Sequence, residues 1–164
     1  KRDNLDLPPF MRGGGQEKNC RAGTHNTAGI AGMGVAAEIA LKNLDTYAGI
    51  QQMRDQLETD IRALTNKAII YGGNAPRVGN TINIGLPDMP AQTQMMALDL
   101  DGVAISSGSA CSSGAFKPSH VLTAMGAGEE EAKSALRISM GWNTKQSDID
   151  AFLESYAKII RRIS

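Results

Sequence analysis

The chain has 164 residues, with 17 Lys and Arg against 17 Asp and Glu, 41% hydrophobic residues and 4% aromatic residues. That length can bury one core, while the even charge and the scarcity of aromatic rings exclude a bulk nucleic-acid binder, which needs a basic face and stacking platforms. No apolar run approaches the roughly 20 residues of a membrane span, and Lys1-Arg2-Asp3-Asn4 lacks the apolar stretch of a signal peptide, so a cytoplasmic chain with Cys20 and Cys111 reduced is expected.

In chain order, residues 1–25 carry Pro8-Pro9 and Gly13-Gly14-Gly15 without periodicity and predict loop or short strand. Ile30, Met33, Ala37, Ala40, Leu41 and Leu44 then share one helical face, and Tyr47, Ile50, Met53, Leu57, Ile61 and Leu64 share that of a second helix. Ile69-Ile70-Tyr71 predicts a short strand, and Ile82, Ile84 and Leu86 a half-buried one. Pro90 is placed in the first turn of a helix reaching about Leu100, where it is harmless. Val103 and Ile105 alternate into a serine-rich loop. Pro118 opens a helix with Val121, Leu122 and Met125 inward, and Glu129, Glu130 and Glu131 suit the start of another. Leu136, Ile138 and Met140 form one strand face, with Arg137 and Ser139 on the other. The last helix carries Ile149, Phe152, Leu153, Tyr156, Ile159, Ile160 and Ile163 in one stripe, with Thr144 or Ser147 as its cap. Residues 67–164 therefore predict a compact α+β domain.

Chemistry concentrates in three stretches. Cys111 lies in Ser106-Ser107-Gly108-Ser109-Ala110-Cys111-Ser112-Ser113-Gly114, among small residues that offer backbone freedom and hydroxyls but no core. This pattern presents a thiol; the other reading is a linker with an incidental cysteine. Arg137 alternates with core residues and so points away from the packed face, where it could clamp a carboxylate or stand as an exposed strand arginine. Gly13-Gly14-Gly15-Gln16-Glu17 followed by Arg21-Ala22-Gly23-Thr24 could bind a phosphate, although it is not a P-loop, or could form an ordinary glycine turn. His25 and His120 suit polar surface or helix-start roles. Two cysteines without a His or Cys cluster do not make a zinc site.

In combination, the GGGQE…RAGT segment, the SSGSAC loop and Leu136-Arg137-Ile138-Ser139-Met140-Gly141 resemble the NifS/IscS-type cysteine desulfurases of the class V aminotransferase family, pyridoxal-phosphate enzymes of fold type I. Their order and spacing agree over essentially the whole chain, and the serine-rich loop is similar to the group with a long cysteine loop. The resemblance implies that Cys111 takes sulfur from L-cysteine as a persulfide, releasing alanine. It implies that Arg137 holds the substrate carboxylate, and that Thr24 reaches the pyridoxal 5'-phosphate of the other subunit in a homodimer. A sulfur-acceptor or scaffold protein would receive the sulfur, for iron–sulfur cluster or other cofactor biosynthesis. Neither nucleic acid nor membrane is implied as a partner.

One departure is large. The family's Schiff-base lysine lies in a His-Lys segment upstream of GGGQE, and no lysine of this chain stands in that context. The resemblance therefore implies a C-terminal part: residues 1–25 ending the large cofactor-binding domain, 26–66 connecting helices, and 67–164 the small domain. This part alone is expected to be inactive. Two further readings compete: a non-catalytic binding or regulatory module that retains the fold, and an independent thiol enzyme pairing Cys111 with His120. The role of Cys20, near a position where relatives usually carry a charged residue, is open.

Overall fold

A computed structural model describes residues 8–108 and 118–162. The chain divides into two compact units, residues 1–43 and 44–164.

In the first unit, a loop leads through a single turn, α1 (Gln16–Asn19), into α2 (Thr27–Lys42). The Asn26 side chain caps α2 by accepting from the Gly29 amide at 3.1 Å, satisfying one of the amides that a helix start leaves without a partner. The periodic residues expected to pack, Ile30, Met33 and Leu41 among them, are exposed, and α2 buries no residue.

The second unit contains the other helices and a sheet. These are α3 (Leu44–Leu64), β1 (Ile69–Ile70), β2 (Thr81–Gly85), α4 (Ala91–Leu100), β3 (Ser106–Ser107), α5 (His120–Ala124), α6 (Glu129–Lys133), β4 (Leu136–Ser139) and α7 (Gln146–Ile160). The strands form a four-stranded antiparallel sheet of order β1-β2-β4-β3. The expected α+β architecture is present, and the two strands read around Ile82–Ile84 and Leu136–Ile138 are neighbours. No helix among the described residues is long and apolar enough to cross a membrane.

Strand alternation sets the two faces. Ile82, Ile84, Leu136 and Ile138 enter the core with Leu57 and Ile61 of α3, Leu98 of α4, and Phe152, Tyr156 and Ile159 of α7. Phe152 and Tyr156, one helical turn apart, stack with centroids 5.2 Å apart. On the opposite face a smaller cluster of Leu122, Ala132 and Ala135 packs with Tyr71 and Ala127. Gly85 leaves room there: a Cβ on it would lie 2.8 Å from the Tyr71 hydroxyl and would have to displace that ring.

A buried charge pair fixes the chain's approach to β2. Glu58, 5% exposed, receives Arg77 at 2.6 and 2.8 Å on its two carboxylate oxygens. Arg54, equally buried, donates to the Val78 carbonyl at 3.3 Å, and the Gly79 amide donates to the Tyr47 hydroxyl at 2.8 Å. Residues 77–79 are thus tied to α3 immediately before β2 begins.

Three local expectations change. Pro90 is the residue before α4 rather than a member of its first turn. Val121 and Met125, one turn apart, are both exposed, because α5 is five residues long and buries only the side that carries Leu122. Neither Thr144 nor Ser147 caps α7. Asp148 reaches back to accept from the Lys145 amide at 2.9 Å, while the Thr144 hydroxyl accepts from Gly141. Ile163 lies outside the described residues.

Two stability outcomes follow from this packing. Arg77→Ala leaves the Glu58 carboxylate buried without its partner and should cost about 3 kcal/mol in denaturant unfolding; adding Glu58→Leu should recover much of that loss. A single variant that unfolds like wild type would show that the pair does not anchor this loop. The Tyr156 hydroxyl is buried without a hydrogen-bond partner among the described residues, and burial pushes its phenol well above the ordinary range. Tyr156→Phe should therefore be neutral or stabilising, within about 1 kcal/mol, because it removes an unsatisfied polar atom and keeps the ring. A clear loss of stability would reveal an unseen partner for the hydroxyl.

Candidate active site

The register of the sheet builds the polar site in the second unit. Arg137 on β4 is paired directly with Asn83 on β2 and with Ser106 on β3, so the three side chains leave the same face in one row. The Met140 amide bonds the Asn80 carbonyl at 2.9 Å, making residues 80 and 140 a hydrogen-bonded pair. By alternation, Asn83 and Arg137 form a non-hydrogen-bonded pair, the type whose side chains stand closer, with Cα atoms about 4.5 Å apart. Arg137 is half-buried and makes no hydrogen bond or ion pair with any described residue. The Asn83 Oδ1 is buried and also lacks a partner among the described residues. Towards Gly85 this face is covered by α6 and the Tyr71 ring, and Tyr71's phenol is raised by burial and then by the Glu131 charge. Towards the other end, Ser139 is exposed. Arg137 thus stands where cover gives way to solvent, a position suited to receiving an anion.

The glycine-rich stretch in the first unit folds around Arg21. Its Nη1 donates to the carbonyls of Ala22, Gly23 and Thr24 at 3.1, 3.4 and 3.3 Å, and Nη2 lies 3.7 Å from Glu17. The turn requires φ of 93° at Gly23, a conformation open to glycine at little cost. Ala22 donates its amide to the Met11 carbonyl, which draws residues 11 and 22 together. Between them, Glu17, Lys18 and Asn19 all adopt left-handed backbone angles, with φ of 52°, 55° and 62°. Each such residue costs roughly 1–2 kcal/mol, and nothing in composition announces it.

Thr24 is exposed, and its hydroxyl makes no hydrogen bond with a described residue. The Arg21 guanidinium lies against the Thr24 carbonyl, on the main chain of the same turn. His25 lies 3.7 Å from Glu17, and Cys20 Sγ lies 3.7 Å from the Lys18 carbonyl.

The sequence-based candidates are therefore distributed. Arg137 stands in a defined polar row, and Thr24 on a closed loop of the other unit. Cys111 lies outside the described residues, as does any Cys111–His120 contact. Asn83 and Ser106 were not singled out from sequence. The only signal was the polar residue interrupting Ile82 and Ile84, and the strand pairing needed to place it opposite Arg137 could not be read from one strand. None of the described lysines is buried; Lys133 and Lys158 lie in ion pairs with Glu130 and Asp101 at 2.8 and 3.1 Å.

The chain is similar to known proteins along nearly its whole length. A cysteine desulfurase from Enterobacter agglomerans is 39% identical over 162 residues, covering 99% of this chain and 40% of the relative. The cysteine desulfurase IscS of Dictyoglomus turgidum is 34% identical over 163 residues, covering 99% and 41% respectively. The crystal structure of a NifS-like protein from Rickettsia africae superposes with a TM-score of 0.81 at 38% identity, over 95% of this chain and 41% of that one. The chain thus spans about two fifths of the length of these relatives, and its mixed helix-and-sheet fold is that of the NifS-like structures. The aminotransferase class-V description matches residues 7–152, and the chain belongs to that family.

Proposed function

We propose that the chain is the C-terminal part of a cytoplasmic cysteine desulfurase, which converts L-cysteine to L-alanine and passes the sulfur to an enzyme thiol. The observation that carries this reading is Arg137, a half-buried guanidinium without a partner among the described residues, set between Asn83 and Ser106 at the open end of a sheet face. A planar fork there suits the α-carboxylate of an amino acid. Similarity along nearly the whole chain to proteins named cysteine desulfurase supports cysteine as that amino acid.

Pyridoxal phosphate, when bound, supplies the electron sink that weakens the carbon–sulfur bond of cysteine. In this reading Arg137 holds the carboxylate, and the Thr24 hydroxyl donates to the cofactor phosphate of the other subunit in a homodimer. The Cys111 thiolate attacks the substrate sulfur. A sulfur–sulfur bond forms, the carbon–sulfur bond breaks with its electron pair left on carbon, and that carbon takes a proton. The products are alanine and a Cys111 persulfide, whose outer sulfur passes to an acceptor or scaffold protein for iron–sulfur cluster or other cofactor assembly. Residues 1–25 would end the large domain, 26–66 would connect, and 67–164 would form the small domain. The 164-residue polypeptide by itself, with no lysine in the family's cofactor context, is proposed to be inactive.

In the full-length protein, Arg137→Ala should raise KM for cysteine about 10- to 100-fold, the scale of one lost charged hydrogen bond, and Arg137→Lys should recover only part. A lysine variant with wild-type KM would contradict the carboxylate role. Cys111→Ala should abolish persulfide formation and alanine release while leaving cofactor absorbance unchanged; persistent persulfide would move the nucleophile elsewhere. The 164-residue polypeptide, incubated with pyridoxal phosphate and reduced with borohydride, should carry no specifically labelled lysine. One labelled lysine together with cysteine-dependent alanine release would overturn the inactivity.

A further inference from the structure

The row that holds Arg137 contains a second unmet polar demand. Asn83 stands directly across from Arg137, and its buried Oδ1 has no donor among the described residues. A buried amide oxygen left in that state costs about 1–3 kcal/mol, and asparagine is among the residues strands disfavour. Stability alone gives no reason for Asn83 to occupy the middle of β2. Nor do the nearest alternatives satisfy it. The Tyr71 amide donates to the Asn83 main-chain carbonyl at 2.9 Å, and the Tyr71 hydroxyl lies against Gly85 without a partner of its own among the described residues. On the other side of Asn83 stands Arg137, with five N–H donors and no acceptor among the described residues.

We propose that Asn83 is the positioning residue of the Arg137 carboxylate site, its Oδ1 accepting one guanidinium N–H and fixing the plane of the fork. The proposal rests on the reading of Arg137 as the carboxylate clamp. A carboxylate held by two parallel bonds uses two of the five N–H groups and leaves the rest to orient the cation. A bond on the β2 side stops rotation about the arginine stem, which is otherwise held only by its own strand. A neutral amide orients the guanidinium without neutralising it. An aspartate in the same place would take the substrate's position as counter-ion.

The test uses the full-length protein with L-cysteine and L-cysteine amide, which lacks the carboxylate charge. It compares wild type, Asn83→Ala, Asn83→Asp, Arg137→Ala and the double alanine variant. Asn83→Ala should raise KM for cysteine about 5- to 20-fold, the scale of one hydrogen bond to a charged group, with kcat and KM for the amide little changed. Asn83→Asp, nearly the same shape, should weaken cysteine at least as much, and it carries the test should the alanine variant fold poorly. The dissociation constant of L-alanine, measured by calorimetry, should rise in parallel with KM. Arg137→Ala should erase the preference for cysteine over the amide, and in that background Asn83→Ala should add nothing. If Arg137→Ala erases the preference while both Asn83 variants keep wild-type KM, the positioning role is overturned and the clamp stands. If Arg137→Ala keeps the preference, the clamp and the proposal fall together. An Asn83→Ala effect that persists unchanged in the Arg137→Ala background overturns action through Arg137.

Discussion

The antiparallel register between β2 and β4 is the constraint on which the rest of the second unit depends. Pairing Ile82 with Ile138 and Ile84 with Leu136 sends four aliphatic side chains into one core. The same pairing necessarily sends Asn83 and Arg137 out together on the other face. Burial therefore enforces the polar pair. A slip of one residue would place a guanidinium in the core and the isoleucines opposite it, at a cost no local contact could offset. The hydrophobic effect supplies the energy, and alternation converts it into the placement of a cation.

That register needs the chain to arrive at β2 in the right place, and the hydrogen bonds before it have that task. Glu58 and Arg77 are 19 residues apart in sequence and meet in a site where neither could be left alone. A buried pair adds little net stability over apolar residues, but it is unforgiving of misplacement. With Arg54 on Val78 and Tyr47 on Gly79, it fixes residues 77–79 against α3. At the other end of the sheet, Asp101 accepts from Ser155 at 2.7 Å and from Lys158 at 3.1 Å, joining the end of α4 to α7 just before β3. These hydrogen bonds hold its carboxyl below the ordinary range. Both edges of the polar row are thus secured by contacts far from it in sequence.

Much of this architecture was legible in the sequence because it rests on periodicity. The stripe of α7, the alternation of Ile82 and Ile84, and the opposite sidedness of Leu136 and Arg137 each follow from one segment read alone. Side-chain pairings across segments were not legible. Nothing in Glu58 names Arg77, and nothing in Asn83 names Arg137 until the register joins them. Short elements misled for a related reason: in the five residues of α5, one buried leucine leaves Val121 and Met125 outside whatever their hydrophobicity. The left-handed run at 17–19 was invisible because two of its residues, Glu17 and Lys18, do not advertise that conformation as glycine does. Motif resemblance located Arg137 and Thr24 as points of interest, while the surroundings that give Arg137 its meaning came from packing.

A folded chain ordinarily satisfies its buried polar atoms, so the places where it does not are informative. The Tyr156 hydroxyl is one such place, but it lies in the apolar core on a ring that packs well, and its cost is absorbed there. Asn83 and Arg137 differ because the two shortfalls face one another: among the described residues, one is an acceptor without a donor and one a set of donors without an acceptor. An Asn83 Oδ1 turned to one guanidinium N–H would leave the outer donors of the fork for a carboxylate, the anion whose two oxygens match it. The same core that excludes water from Ile82 and Ile84 thereby sets, on the reverse of the sheet, an amide and a cation side by side.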